Sequence, residues 1–164
     1  GSVVLPAIEG SRPVLVEVQA LVSPTNFGTP RRTCLGFDSA RAALLVAVLE
    51  RRAELGLLGC DIFVNIAGGM TVDDPAADLA VSLALASSHK KRPLEQRTAV
   101  FGEVGLAGEV RAINQPDARV AEAVKLGFKR IIMPEASKKR LGPVKGAQLI
   151  GVRRLEEALD AAFE

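Results

Sequence analysis

The sequence predicts a single α/β or α+β domain over residues 1–164, and three observations carry that reading. Valine- and leucine-rich stretches alternate with helical patterns, an order that layers helices on a sheet. One glycine-bounded turn between two short strands marks a β-hairpin. No repeat, low-complexity tract or interior linker divides the chain. The length suffices to bury a substantial core, and 48% of the residues are apolar, which supplies one.

The first expected strand is 14–22, VLVEVQALV, where apolar residues partly alternate with polar ones. A loop by composition, Ser23-Pro24-Thr25-Asn26-Phe27-Gly28-Thr29-Pro30, separates it from a second strand at 33–37. Asp38 is placed to cap a helix through about residue 54, with Ala42, Leu45, Val48 and Leu49 along one side. A third strand, 61–66, feeds a helix at 74–88. Lys90-Lys91-Arg92-Pro93 stops that helix, its cations complementing the partial negative charge of a helix end. Residues 98–104, a turn at 105–108 and 109–112 form the hairpin. A helix at 116–126 stops at Gly127. A buried strand at 130–133, a short helical turn at 135–140, a strand at 148–151 and an amphipathic helix at 154–163 complete the chain.

The stretch 65–88 is where a site is expected. It passes from a strand through Gly68-Gly69 into a helix start, where free backbone N–H groups favour anions. Asp74 reads as the N-cap and Pro75 as the first helical residue. Ala76 then occupies what should be an exposed first turn, and it brings no chemistry. Ser82, Ser87 and Ser88 lie further along the helix, where serines usually bond their own backbone. Asp73, Asp74 and Asp78 suit capping better than a hard-metal site. Cys34 or Cys60 with His89 lacks local support as a thiol–imidazole pair. Two lone cysteines and one histidine cannot complete a zinc site and read as free thiols in a cytoplasmic protein. The chain has no GxxxxGK[ST] loop, which argues against an ATPase in this sequence. It also has no apolar run long enough to span a membrane and no signal-peptide pattern.

Charge is unevenly placed. Residues 1–82 carry 6 Lys/Arg against 9 Asp/Glu, and residues 83–164 carry 15 against 10, leaving −3 and +5. Such asymmetry points to a polyanion partner or to a solvated basic surface. With no Trp or Tyr and only six Phe, recognition by base stacking is disfavoured. Arginine suits phosphate because its planar fork bonds two oxygens at once.

Two segments resemble the Lon protease domain. Asp73-Asp74-Pro75-Ala76-Ala77-Asp78 is similar to its nucleophile segment Asp-Gly-Pro-Ser-Ala-Gly, with Ala76 at the serine and Asp74 and Asp78 at the glycines. Gly102-Glu103-Val104-Gly105-Leu106-Ala107-Gly108-Glu109-Val110 resembles the second signature, and the family's catalytic lysine then falls by spacing on Asp117. A Ser–Lys dyad needs a hydroxyl and an amine, and Ala76 and Asp117 supply neither. With the loop at 20–32, Ala67-Gly68-Gly69, the 74–80 block and Lys125-Leu126-Gly127-Phe128-Lys129-Arg130 included, the chain resembles the bacterial RadA (Sms) family along its whole length.

That resemblance implies a Lon protease-like domain with a mixed β-sheet and packed helices, proteolytically inactive. It implies a cytoplasmic DNA repair and recombination protein acting on branched intermediates as a homo-hexamer. ATP, Mg and Zn are expected only in the ATPase and zinc modules, which this chain does not match. DNA is the implied partner, and the candidate phosphate contacts are Arg31, Arg32, Arg41, Arg111, Arg119, Lys129 and Arg130. The alternative is a purely structural oligomerisation domain whose basic residues face neighbouring subunits. The stretch 113–119 departs from the family's usual basic version.

Overall fold

The computed structural model describes residues 1–26 and 28–163; Phe27 of the predicted loop lies outside them. Strands β1 (Ser2–Glu9) and β2 (Arg12–Pro24) form an antiparallel hairpin in register from Ser2↔Gln19 to Glu9↔Arg12. Strand β1 is absent from the sequence reading. Pro6 stands at its centre, and proline normally argues against an interior strand because it has no N–H for the ladder. The remaining strands are β3 (Arg32–Leu35), β4 (Cys60–Ile66), β5 (Thr98–Val100), β6 (Glu103–Val104), β7 (Val110–Arg111), β8 (Arg130–Pro134) and β9 (Gln148–Val152). Seven of them make one mixed sheet in the order β3-β4-β2-β1-β5-β8-β9. Every neighbour pair that excludes β2 is parallel, so β2 alone runs against the rest. The sheet therefore has a strand-start end and a strand-finish end.

The expected strand at 98–104 is broken in two. After β5 the chain leaves the sheet at Phe101-Gly102, where Gly102 N donates to Ala76 O (2.9 Å) and Leu79 N donates to Gly102 O (3.0 Å). Tertiary contacts with the next helix start outcompete continued pairing. Strands β6 and β7 then pair as a separate antiparallel hairpin.

Helix α1 (Ser39–Ala53) begins where predicted, with Asp38 accepting from Arg41 N at 3.1 Å. Helix α2 (Ala77–Lys90) crosses β2 and β1, and α1 and α5 (Leu155–Ala162) pack on its outer side. Eleven of its fourteen residues are buried, which explains why ADLAVSLALASS is apolar nearly all round. Helix α3 (Pro116–Lys125), with α4 (Glu135–Leu141) beside it, packs against β1 and β2 from the other side. Strand β1 is thus buried on both faces at Leu5 and Pro6. The sheet is less covered toward β3, where Leu21 and Leu35 are 58% and 62% exposed. Gly36, at φ 85°, ends β3 against the chain before α2; a methyl there would lie 2.3 Å from Met70 O.

Candidate functional site

The start of α2 differs from the sequence reading in a way that matters. The helix opens at Ala77, and Pro75-Ala76 form the turn before it rather than its first residues. The Asp74 carboxylate accepts from Ala76 N (3.0 Å), so it caps that turn. Ala76, expected in an exposed first turn, is fully buried, because the bend at Gly102 folds over it. Asp117 sits exposed in the first turn of α3. The two positions matched to the protease dyad hold a methyl in the core and a carboxylate facing water.

Asp74 has a second role. Its Oδ2 accepts from Ile8 N (3.0 Å) and from Arg119 Nη1 (2.7 Å). The Arg119 guanidinium, fully buried, also donates to Pro6 O (2.9 Å), Asn114 O (3.0 Å), Asn114 Oδ1 (3.0 Å) and Asp74 Oδ1 (3.2 Å). All five of its N–H donors are thereby used. The geometry of β1 explains the pair. Val4 is the residue of β1 in register with β5, opposite Ala99. Beyond it, the groups of β1 that face the same way, Pro6 O and Ile8 N, have no strand beside them and are bonded by Arg119 and Asp74 instead. The ion pair substitutes for the missing length of β5, and Pro6 is tolerated because it brings no N–H to orphan. Arg119 is accordingly corrected from a candidate phosphate contact to a structural residue with no donor free.

Asp78, also buried, receives Arg41 Nε (2.9 Å), Arg41 Nη2 and Val104 N (3.1 Å), while Arg41 Nη2 also reaches Val104 O (3.0 Å). The hydrogen bond to Asp78 raises the Arg41 pKa. Burial pushes the Asp74 carboxyl up, but hydrogen bonds from Arg119, Ile8 N and Ala76 N outweigh it and hold the group below the usual carboxylate range. Between these pairs lies a cavity of about 280 Å³ whose walls include Asp38, Asp73, Asp74, Asp78 and Glu103 around Arg41. It is an acidic hollow with one guanidinium already engaged, and its walls carry no hydroxyl, thiol or amine. Neither Ala76 nor Asp117 lines it.

The seven basic candidates divide between the two ends of the sheet. Arg41, Arg111 and Arg119 belong to the strand-finish end, where Arg111 forks onto Glu109 Oε2 (3.1 and 2.7 Å). That guanidinium in turn holds the Glu109 carboxyl below its usual range. Arg31, Arg32, Lys129 and Arg130 lie at the strand-start end. Arg31 is 77% exposed, with its Nη2 3.5 Å from Asp61, and Arg32 and Lys129 are exposed. Arg130 is mostly buried, donating to Glu95 (3.0 Å) and to Ala161 O (3.0 Å). Asp61 accepts from Arg31 N and Thr25 Oγ1 (both 2.8 Å), which tethers the 23–30 loop and depresses its pKa.

Other sequence candidates resolve simply. Ser82 Oγ donates to Asp78 O one turn back, Ser87 Oγ to Arg92 O, and Ser88 Oγ accepts from Val22 N. Gly68-Gly69 make a short 3₁₀ turn with positive φ and open space around it. Both cysteines are free. No helix among the described residues is long and apolar enough to cross a membrane.

Comparison with known proteins bears on the whole chain. The family model described as "ChlI: Subunit ChlI of Mg-chelatase" matches residues 46–137, more than half of the sequence. The chain belongs to the ChlI family. In this ChlI-family chain the match runs from α1 through β8 and so contains the acidic hollow and both buried ion pairs. The chain is 48% identical over 159 residues to a protein of Bacillus subtilis named DNA repair protein RadA. Proteins of the same name from Pseudomonas aeruginosa and Aquifex aeolicus are 49% and 46% identical over 164 and 163 residues. These matches cover 97–100% of the chain but only 35–36% of the relatives, so it spans about a third of their length. The family description names a chelatase subunit; the Lon likeness is carried by the motifs in the sequence.

Proposed function

We propose that the chain is a proteolytically inactive, Lon-like module of a RadA-type DNA repair and recombination protein, serving as hexamer scaffold and sequence-independent DNA-binding surface in the cytoplasm. The observation that carries this reading is the start of α2. A Ser–Lys hydrolase needs its nucleophile accessible beside an amine, whereas here Ala76 is buried and Asp74 and Asp78 are locked onto Arg119 and Arg41. The names of relatives at 46–49% identity supply the DNA context. ATP hydrolysis, and the Mg and Zn that go with the rest of such a protein, belong outside this chain.

DNA would be held through its phosphates, by exposed cations, so binding is independent of sequence and falls steeply with salt. A purely structural oligomerisation role is favoured by a different observation, the exposed Leu21 and Leu35 on the open part of the sheet. Fluorescence anisotropy with labelled single- and double-stranded DNA across a salt series, with light scattering in parallel, separates the two. Binding that weakens with salt supports the DNA role; an assembled ring that binds neither strand form at low salt sinks it. Turnover of unfolded casein that survives repurification would overturn the inactive assignment.

A further inference from the structure

We infer that the strand-start end of the sheet is a single phosphate-backbone track for duplex DNA, centred on residues outside the original candidate set. This rests on the DNA reading above. Because six of the seven strands run the same way, the segments that lead into them converge at one end. Arg31 and Arg32 sit at β3. Lys90 and Lys91 close α2, where Ser88 Oγ meets Val22 N near the end of β2 and where Lys91 and Arg92 border a hollow with Gly1 and Ser2 at the start of β1. Arg97 precedes β5, and its carbonyl accepts from both Lys129 N (2.9 Å) and Arg130 N (3.1 Å) at the start of β8.

The side chains of Arg31, Arg32, Lys90, Lys91, Arg97 and Lys129 are exposed. Carboxylates at the same end are committed elsewhere: Asp61 to the 23–30 loop, Glu95 to Arg130 and Glu50 to Leu58 N. From β3 to β8 is five strand spacings, roughly 24 Å, or about two thirds of a duplex turn. The row therefore matches a stretch of backbone rather than a single phosphate. The strand-finish end is the reverse, with the acidic hollow and Arg111 already forked onto Glu109.

The test uses this chain and a labelled 20-base-pair duplex of mixed sequence, read by anisotropy from about 50 to 200 mM salt. Three variants are compared: a flank variant (Arg31→Glu, Arg32→Glu, Lys129→Glu), a centre variant (Lys90→Gln, Lys91→Gln) and an opposite-end control (Arg12→Glu, Arg111→Glu, Arg153→Glu). Each lost phosphate contact removes about 0.9 from the slope of log K against log salt. The flank variant should lose at least about 30-fold in affinity and about three contacts' worth of slope. The centre variant should lose about two contacts' worth, and the control should stay within about threefold, with thermal melting unchanged in all three. If only the control weakens binding, the track is misplaced while the DNA reading stands. If the flank variant weakens binding and the centre variant does not, there is no continuous track. If the unaltered chain binds no duplex at the lowest salt, the DNA reading itself fails.

Discussion

The two ends of the sheet use arginine in opposite ways. At the strand-finish end Arg119 and Arg41 are turned inward, and their donors complete hydrogen bonds that the backbone leaves open at Pro6, Asn114 and Val104. At the strand-start end Arg31, Arg32 and Lys129 face solvent, with one contact of 3.5 Å to a carboxylate among them. The same residue type is therefore architecture in one place and available surface in the other. What separates them is local backbone geometry: a strand that stops early creates a demand for side-chain donors, and a complete strand creates none. Charge counts alone could not have told the two apart.

The largest effect expected from breaking this contrast is at Arg119. Arg119→Ala leaves Asp74 buried and unpaired and should cost about 3–5 kcal/mol, read as a lowered urea midpoint. A sharper variant is the double substitution Arg119→Met with Asp74→Leu. An ordinary buried ion pair can be replaced by apolar groups at little cost. Here the replacement also orphans Pro6 O and Ile8 N, so the double variant should stay at least about 2 kcal/mol below the parent. Full recovery would mean that the pair does not stand in for a strand.

Asp78→Asn comes next, at about 1–3 kcal/mol, because Arg41 is a third exposed and regains water when its partner weakens. Faster amide exchange at Val104, in the β6–β7 hairpin, is the signature to look for. The acid response follows from Asp74. Its folded pKa is depressed, so its contribution is complete above the unfolded value of about 3.9 and is lost as pH falls through the folded one. Urea midpoints measured from pH 6 down to pH 2 should fall below about pH 4, and Asp74→Asn should flatten that fall. The smallest effect belongs to Arg31→Ala with Arg32→Ala, which should leave stability within about 0.5 kcal/mol because both side chains are exposed; a larger loss of melting temperature would mark them as architecture too.

How much of this could be read beforehand depends on how far each interaction reaches along the chain. Asp38 capping α1 was legible, since donor and acceptor lie three residues apart and the chemistry is local. Asp74 was half legible. Its cap to Ala76 spans two residues, but its partners Arg119 and Ile8 lie 45 and 66 residues away, and no local pattern announces them. Ala76 was misjudged for a related reason: its burial depends on the bend at Gly102, which also cut the predicted strand at 98–104. Strand β1 was hidden by Pro6, whose missing donor counts against a strand until a buried arginine is found taking up its carbonyl. The alternating α/β order was legible throughout, because periodicity is local even where pairing is not. The split of the basic residues between two ends needed strand directions, which periodicity does not contain.

Strand β1 also sets how the molecule comes apart. On one side of it lies a mixed block, β2, β4 and β3; on the other a parallel block, β5, β8 and β9. The first joint is zipped along eight register pairs, whereas the second shows one, Val4↔Ala99. That second joint is a mechanical seam, bolted from one side by the Arg119–Asp74 pair. Under load, whether from denaturant or from neighbouring subunits pulling on opposite edges, the seam is where the sheet should open first. The half that carries β5, β8 and β9 can then swing as one piece while the hairpin that begins the chain stays folded.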